Sequence, residues 1–331
     1  PTIKEPNMKL NEYCRLDGVA IGELIKKREI SSKEVANLAK TAAEIIQSDL
    51  NACVEIFDEP ISNASQSTSP LSGVPIFLKD ILATIEGVKQ ECGSRLLQGV
   101  VSNKTSNFSR KLIDAGIQII GRSACPEFGL TLTTESIAQG VTRNPWNVTK
   151  IAGGSSGGAA ALVAAGVVPI SHSNDGGGST RVPASACGNV GLKTSRGLIS
   201  LGPRLNDILA PLVSEGCNSR TVRDTAAFLD IVSGYEPGDS VLTNKQPAEY
   251  LKQHIVPPDP LKIAICVENL LGEVPVDSFV MNELERVGQL LTELGHHVEF
   301  HAPQFFSDGQ HVVDAFKILW LELAAASIGS A

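Results

Sequence analysis

The chain has 331 residues, 42% of them apolar and 19% charged, with a formal net charge of −8. That is enough apolar material for a sizeable core and excludes a disordered chain. The acidic balance, with no Lys/Arg run longer than Lys26-Lys27-Arg28, argues against nucleic acid as the main partner; no apolar stretch reaches spanning length, the best being the short, glycine-interrupted Ala159 to Val168.

In chain order, Pro1 to Lys9 is polar and has no apolar h-region, so no signal peptide is visible. Ser31 and Glu34 form a capping-box signature ahead of apolar positions at Val35, Leu38, Ala39, Ala42, Ile45 and Ile46, which predicts a helix. Val74 to Leu78 is a buried strand broken by Lys79-Asp80. Ser106 to Asp114 reads as helix, Ile117 to Ile120 as strand, Gly157 to Ala165 as helix and Val167 to Ser171 as strand. Thr221 to Val232 is an amphipathic helix with Val222, Ala226, Leu229 and Val232 on one side. Lys262 to Val267, Phe279 to Leu294 and His297 to Phe300 form a strand–helix–strand unit, and Phe316 to Ser327 looks helical. This alternation predicts an α/β fold, a mixed β-sheet covered by helices. The proline-rich stretch Gly234 to Pro260 is expected to be a surface excursion within one domain.

Eleven of the 30 glycines fall between Gly153 and Gly197, in two Gly/Ser clusters, 153–158 and 176–179. Glycine is costly to order, so two such clusters delivering serine hydroxyls suggest backbone N–H groups exposed around a reacting centre. A phosphate loop fits poorly, because Leu192 separates Gly191 from Lys193-Thr194 where a Walker motif needs glycine directly before Lys. An α/β-hydrolase elbow fits formally at Gly153-Gly154-Ser155-Ser156-Gly157, with Ser155 as nucleophile. However, 147–152 makes a poor buried strand, and the second cluster is left unexplained. The seven cysteines are scattered, show no metal-ligand spacing and fit reduced, buried thiols in a cytoplasmic protein.

Four segments, in this order, carry a resemblance: Gly73-Val74-Pro75-Ile76-Phe77-Leu78-Lys79-Asp80, Arg143-Asn144-Pro145-Trp146-Asn147, Gly153-Gly154-Ser155-Ser156-Gly157-Gly158, and Asp175-Gly176-Gly177-Gly178-Ser179-Thr180-Arg181-Val182-Pro183-Ala184. With them the chain resembles the amidase signature family of serine hydrolases. Positions 142–147 and 172–175 look most like its 6-aminohexanoate cyclic-dimer hydrolase branch. The resemblance runs over nearly the whole chain and implies a single amidase domain over 1–331, with N-terminal helices over 10–48, a catalytic core over 70–235 and further α/β elements over 260–331. Family members extend well past the equivalent of Ala331. Part of the sheet and pocket is therefore expected to be missing here, or to come from a second polypeptide.

The resemblance implies an amide-bond hydrolase working through an acyl-enzyme. Ser179 is the implied nucleophile, Ser155 the bridging serine after a cis peptide from Gly154, and Lys79 the base. The N–H groups of Gly176, Gly177, Gly178 and Ser179 would face the oxyanion. A lysine acts as a base only where burial lowers its pKa, and Lys79 ends an apolar run that can bury it. Ser156 is expected to be structural, capping the following helix, and Asp175 and Arg181 to pair and position the loop. His172 is expected to pack in a strand, and Cys125 to be structural. On residues alone Lys79 would be a solvated strand-end lysine and Ser179 a helix N-cap. No cofactor, metal or membrane is called for, and a homodimer is compatible. The expected substrate is a small neutral linear or cyclic amide. Rival readings are the catalytic subunit of a tRNA-dependent transamidase, the α/β-hydrolase, and a truncated non-enzymatic paralogue.

Overall fold

The computed structural model describes residues 8–63, 67–203, 212–241, 249–268, 275–302 and 308–329. Packing divides the chain into two compact units, 1–254 with 327–331, and 255–326. The break falls in the proline-rich stretch 234–260, of which 242–248 lies outside the described residues.

The first unit opens with helices α1 (Leu10–Tyr13), α2 (Gly18–Lys26) and α3 (Ser32–Leu50). The capping box at Ser31 and Glu34 forms as the sequence predicts, the Ser31 hydroxyl accepting the Glu34 N–H and the Glu34 carboxylate accepting the Ser31 N–H. Val35, Ala39, Ala42 and Ala43 are buried, whereas Ile45 is exposed. Strands β1 (Cys53–Ile61) and β2 (Pro75–Lys79), helix α4 (Asn107–Asp114) and strand β3 (Gln118–Ser123) follow. They build a mixed three-stranded sheet in which β3 lies between β1, antiparallel, and β2, parallel. The parallel pair requires a long crossover, and residues 80–117 with α4 supply it.

Two small hairpins come next, β4 (Glu135–Ser136) with β5 (Gly140–Val141), and β6 (Arg143–Asn144) with β7 (Asn147–Ile151). All of β7 is exposed, so it is not the buried strand that an α/β-hydrolase elbow needs. Helix α5 (Gly157–Ala164), strand β8 (Ile170–Asp175), helix α6 (Arg181–Cys187), and strands β9 (Val190–Gly191) and β10 (Ser214–Ser219) complete a second, antiparallel sheet of order β8-β10-β9. Strand β8 begins three residues later than expected, and its polar part is fully buried. The two sheets adjoin at β2 and β8. There the Ser171 hydroxyl donates to the Phe77 carbonyl and the Lys79 N–H donates to His172 Nδ1, at 3.1 and 3.0 Å.

Helix α7 (Val222–Val232) is capped by Thr221 and buries Ala226, Leu229 and Val232 as expected, but leaves Val222 exposed. Its Asp224 carboxylate accepts the N–H groups of Gly18 and Val19, fastening the start of α2. Helix α8 (Tyr250–Gln253) ends this unit's main segment. The core gathers Ile76 to Leu78 of β2, Ile119 and Ile120 of β3, Ala160 to Val163 of α5, and Phe228.

The second unit contains strand β11 (Lys262–Ile265), helix α9 (Ser278–Glu293) and strand β12 (His297–Phe300), a strand–helix–strand unit whose two strands pair in parallel. Helix α10 (Gly309–Gly329) follows and is longer than its apolar pattern suggested. Among the described residues no helix is long and apolar enough to cross a membrane.

Candidate active site

Lys79 is the last residue of β2, and its side chain is 1% exposed. Its Nζ lies 2.6 Å from Ser155 Oγ and 2.7 Å from Asn174 Oδ1. Both partners are neutral. Burial lowers the Lys79 pKa to about 8, with the carboxylates of Glu215 and Asp175 pulling the other way. The solvated strand-end lysine is thereby set aside.

Ser155 follows a cis peptide from Gly154. An added Cβ at Gly154 would lie 2.6 Å from the Thr133 backbone nitrogen, so only glycine fits this close approach. Ser155 and Ser156 are both buried, directly ahead of α5. Ser156 occupies the N-cap position but does not cap with its side chain, contrary to expectation. Its hydroxyl is drawn instead to the Asn174 carbonyl at 3.4 Å, and Thr134 Oγ1 receives the Gly157 N–H at 3.1 Å. The Ser156 N–H donates to the Ser179 carbonyl at 3.2 Å, which brings the second Gly/Ser cluster against the first.

Ser179 is 3% exposed, and the loop before it is folded around Asp175. The Asp175 carboxylate accepts the N–H groups of Gly178, Thr180 and Arg181, together with both Nε and Nη2 of the Arg181 guanidinium at 2.9 Å. Burial disfavours the ionised carboxyl, but the guanidinium and N–H donors outweigh it and hold the Asp175 pKa below its usual value. Asp175 and Arg181 thus form the loop-positioning pair. Gly178 has a φ of 126° and commits its N–H to Asp175 Oδ1 at 2.9 Å. That removes it from the expected set of oxyanion donors and leaves Gly176, Gly177 and Ser179. Ser179 does not cap α6; Thr180 holds that position.

Sequence reasoning missed Asn174 and Glu215. Asn174, on β8, holds Lys79 Nζ and sends its own amide to the Ile81 carbonyl. His172 is packed in the strand as expected, but its Nδ1 accepts the Lys79 N–H, which leaves Nε2 as the donor to Glu215 Oε2 at 2.9 Å. Glu215 lies on the facing strand β10, buried at 3% exposure. Polar residues in runs without apolar alternation gave no signal of burial. Cys125 is buried with its thiol pKa pushed up by burial, which suits a structural thiol. Among the described residues, no group of three or more His, Cys, Asp or Glu is arranged to hold a metal ion.

A buried lysine bonded to a serine that follows a cis peptide, beside a glycine-rich loop ending in a second serine, defines a class. The Amidase family model matches residues 34–328, across both packing units, and the chain belongs to the amidase signature family. Within that family it is 34% identical over 313 residues to a 6-aminohexanoate-cyclic-dimer hydrolase from Paenarthrobacter ureafaciens, a match covering 93% of this chain and 64% of that protein. A solved structure of 6-aminohexanoate cyclic dimer hydrolase complexed with substrate superposes with a TM-score of 0.83 at 33% identity, covering 88% of this chain and 61% of that one. The chain is also 40% identical over 246 residues to a glutamyl-tRNA(Gln) amidotransferase subunit from a Picosynechococcus species, covering 73% of this chain and half of that protein. The chain therefore spans less than two thirds of the length of these relatives.

Proposed function

We propose that this chain carries the catalytic machinery of a cofactor-independent amide hydrolase, with Ser179 as nucleophile, Ser155 as proton relay and Lys79 as base. The observation that carries this reading is the 2.6 Å contact between the buried Lys79 Nζ and Ser155 Oγ. A lysine whose pKa burial lowers toward the working pH has, in its neutral fraction, a lone pair to accept a proton. Neutral Lys79 draws a proton from Ser155, which draws one from Ser179 as its Oγ attacks the amide carbon. The oxyanion is received by the N–H groups of Gly176, Gly177 and Ser179. The proton returns through Ser155 to the leaving amine, and water then releases the acyl group by the same path.

The substrate class is small neutral amides, linear or cyclic, with aminohexanoate oligomers as first candidates. Arg181 is committed to Asp175 and Lys193 to loop carbonyls, so neither supplies a counter-ion for a carboxylate beside the scissile bond. Bringing such a charge in unpaired is costly. A panel of neutral and carboxylate-bearing amides compared by kcat/KM tests this, and preference for the charged set overturns it. We place the protein in the cytoplasm, a reading supported by its seven free thiols.

The decisive test is a fluorophosphonate probe followed by peptide mass spectrometry. The label is expected on Ser179, with Ser179→Ala unlabelled and Ser155→Ala labelled slowly; a label on Ser155 or on nothing overturns the assignment. The identity to the glutamyl-tRNA(Gln) amidotransferase supports a second reading, the catalytic component of a transamidase. Amide turnover that appears only with a partner protein would favour it.

A further inference from the structure

We propose that Lys193 is a positioning residue for the oxyanion site. Its ammonium holds and polarises the Asp175–Gly176 peptide, so that the Gly176 N–H is aimed and strengthened as a donor. The inference rests on the loop reading just given. Lys193 follows β9, which pairs with β10 through Gly191↔Asn218. Gly191 is pressed against α6 so closely that an added Cβ would lie 2.4 Å from Ala184 Cβ and 3.0 Å from the Thr180 carbonyl. That contact fixes where the chain emerges and delivers Lys193 under the loop.

Three acceptors surround Lys193 Nζ: the carbonyl of Asp175 at 2.8 Å, the hydroxyl of Ser214 at 2.9 Å and the carbonyl of Leu212. Each can take one ammonium hydrogen, and none is a carboxylate oxygen. Asp175 and Ser214 are register partners across β8 and β10, so one cation closes the end of that ladder. The Asp175–Gly176 peptide is trans, since the cis bonds are elsewhere. In a trans peptide the C=O and N–H point in opposite directions. An ammonium on the carbonyl therefore fixes the direction of the Gly176 N–H on the far side. A charge-assisted bond to the carbonyl also polarises the peptide and makes its N–H a stronger donor. A donor serving only to tie strand ends would affect stability, whereas this arrangement acts where negative charge develops during reaction.

The experiment compares the full chain with Lys193→Met, Lys193→Gln and Lys193→Arg. Removing a whole oxyanion donor costs about 10²–10³ in rate, so weakening one through its peptide is expected to slow fluorophosphonate labelling of Ser179 about 10- to 100-fold. KM for a neutral amide should move far less than kcat, and Lys193→Arg should recover most of the rate. With 15N-glycine labelling, the Gly176 amide resonance should move in Lys193→Met while that of Gly22 stays in place. If Lys193→Met does not fold, Lys193→Gln serves the same comparison. Unchanged labelling and an unmoved Gly176 resonance overturn the proposal, as does a loss that falls on KM alone. A wild-type chain inert to the probe overturns the hydrolase reading instead, and the Gly176 resonance then still decides the role of Lys193.

Discussion

Two buried cations stand on neighbouring strands, and the protein treats them in opposite ways. Arg122 on β3 is paired in register with Leu78, the residue before Lys79 on β2. Three carboxylates bind Arg122: Glu55 at 2.9 Å, Asp80 at 2.5 Å and Glu91 at 3.0 Å. Burial alone would lower its pKa, but these partners outweigh it and raise it. Lys79 is bonded to a hydroxyl and an amide, and burial is left to lower its pKa to about 8. The chemistry of the side chain matters too, since guanidinium stays charged in proteins while a lysine shifts readily on burial. Carboxylates around a cation make a fixture; neutral acceptors around one make a base.

The strongest way to break this comparison is Lys79→Ala. Loss of a general base costs about 10²–10⁴-fold, so most turnover should vanish while circular dichroism stays native. Lys79→Arg should not rescue it, because a guanidinium cannot give up its proton. Near-normal activity in either variant would sink the lysine-base model.

Arg122→Met tests the other half. It leaves the fully buried Asp80 carboxylate without its cation, and breaking a buried pair in this way costs about 3–5 kcal/mol. Urea unfolding should show that loss at neutral pH. Burial already holds the Asp80 pKa above its unfolded value, and removing Arg122, which lowers it, raises it further. Its penalty is then present above that pKa and fades as pH falls, so the gap from wild type should narrow in acid.

A finer cut concerns the pH profile. Because the base must be neutral, activity should rise with pH around a midpoint near the Lys79 pKa of about 8. Glu215 is among the negative charges that raise that pKa, so Glu215→Gln should move the midpoint to lower pH. A shift upward, or none in kcat against pH, would remove Glu215 from the site's electrostatics. The smallest effect is expected at Arg181, whose side chain is 53% exposed in its pair with Asp175. Its Asp175 partner is only 1% exposed but keeps three backbone N–H donors, so Arg181→Ala should lower the unfolding free energy by about 1–3 kcal/mol, less than Arg122→Met.

The sequence makes these two cations unequally visible. The apolar run into Lys79 announces a buried strand, and all five residues of β2 are buried. The resemblance pointed to Lys79, Ser155, Ser179 and the Asp175–Arg181 pair, and the structure brings them into one neighbourhood. Asn174, Glu215 and the Arg122 carboxylates stayed hidden for a common reason. Strand β10, Ser-Glu-Gly-Cys-Asn-Ser, carries no apolar alternation, yet every residue is buried. The polar end of β8 behaves likewise, with Ser173 bonded to Thr180 and Asn218 reaching both Ser173 and the Thr180 carbonyl. Hydrophobic periodicity detects side chains that avoid water. It does not detect polar ones that find hydrogen-bond partners inside, as these do although Asn218 Oδ1 is left without one, because those partners are remote in sequence.

Helix α5 sets a boundary on how this site can change. A methyl group added at Gly158 would fall 2.4 Å from the Ala124 nitrogen and 2.7 Å from the carbonyl oxygens of Ala124 and Ala52. All three are main-chain atoms, so no rotamer change can make room. At this point the wall behind Ser155 is as thin as a polypeptide can be. A laboratory search for new substrate preference therefore has no foothold from that side: diversity introduced there is spent on chains that do not fold.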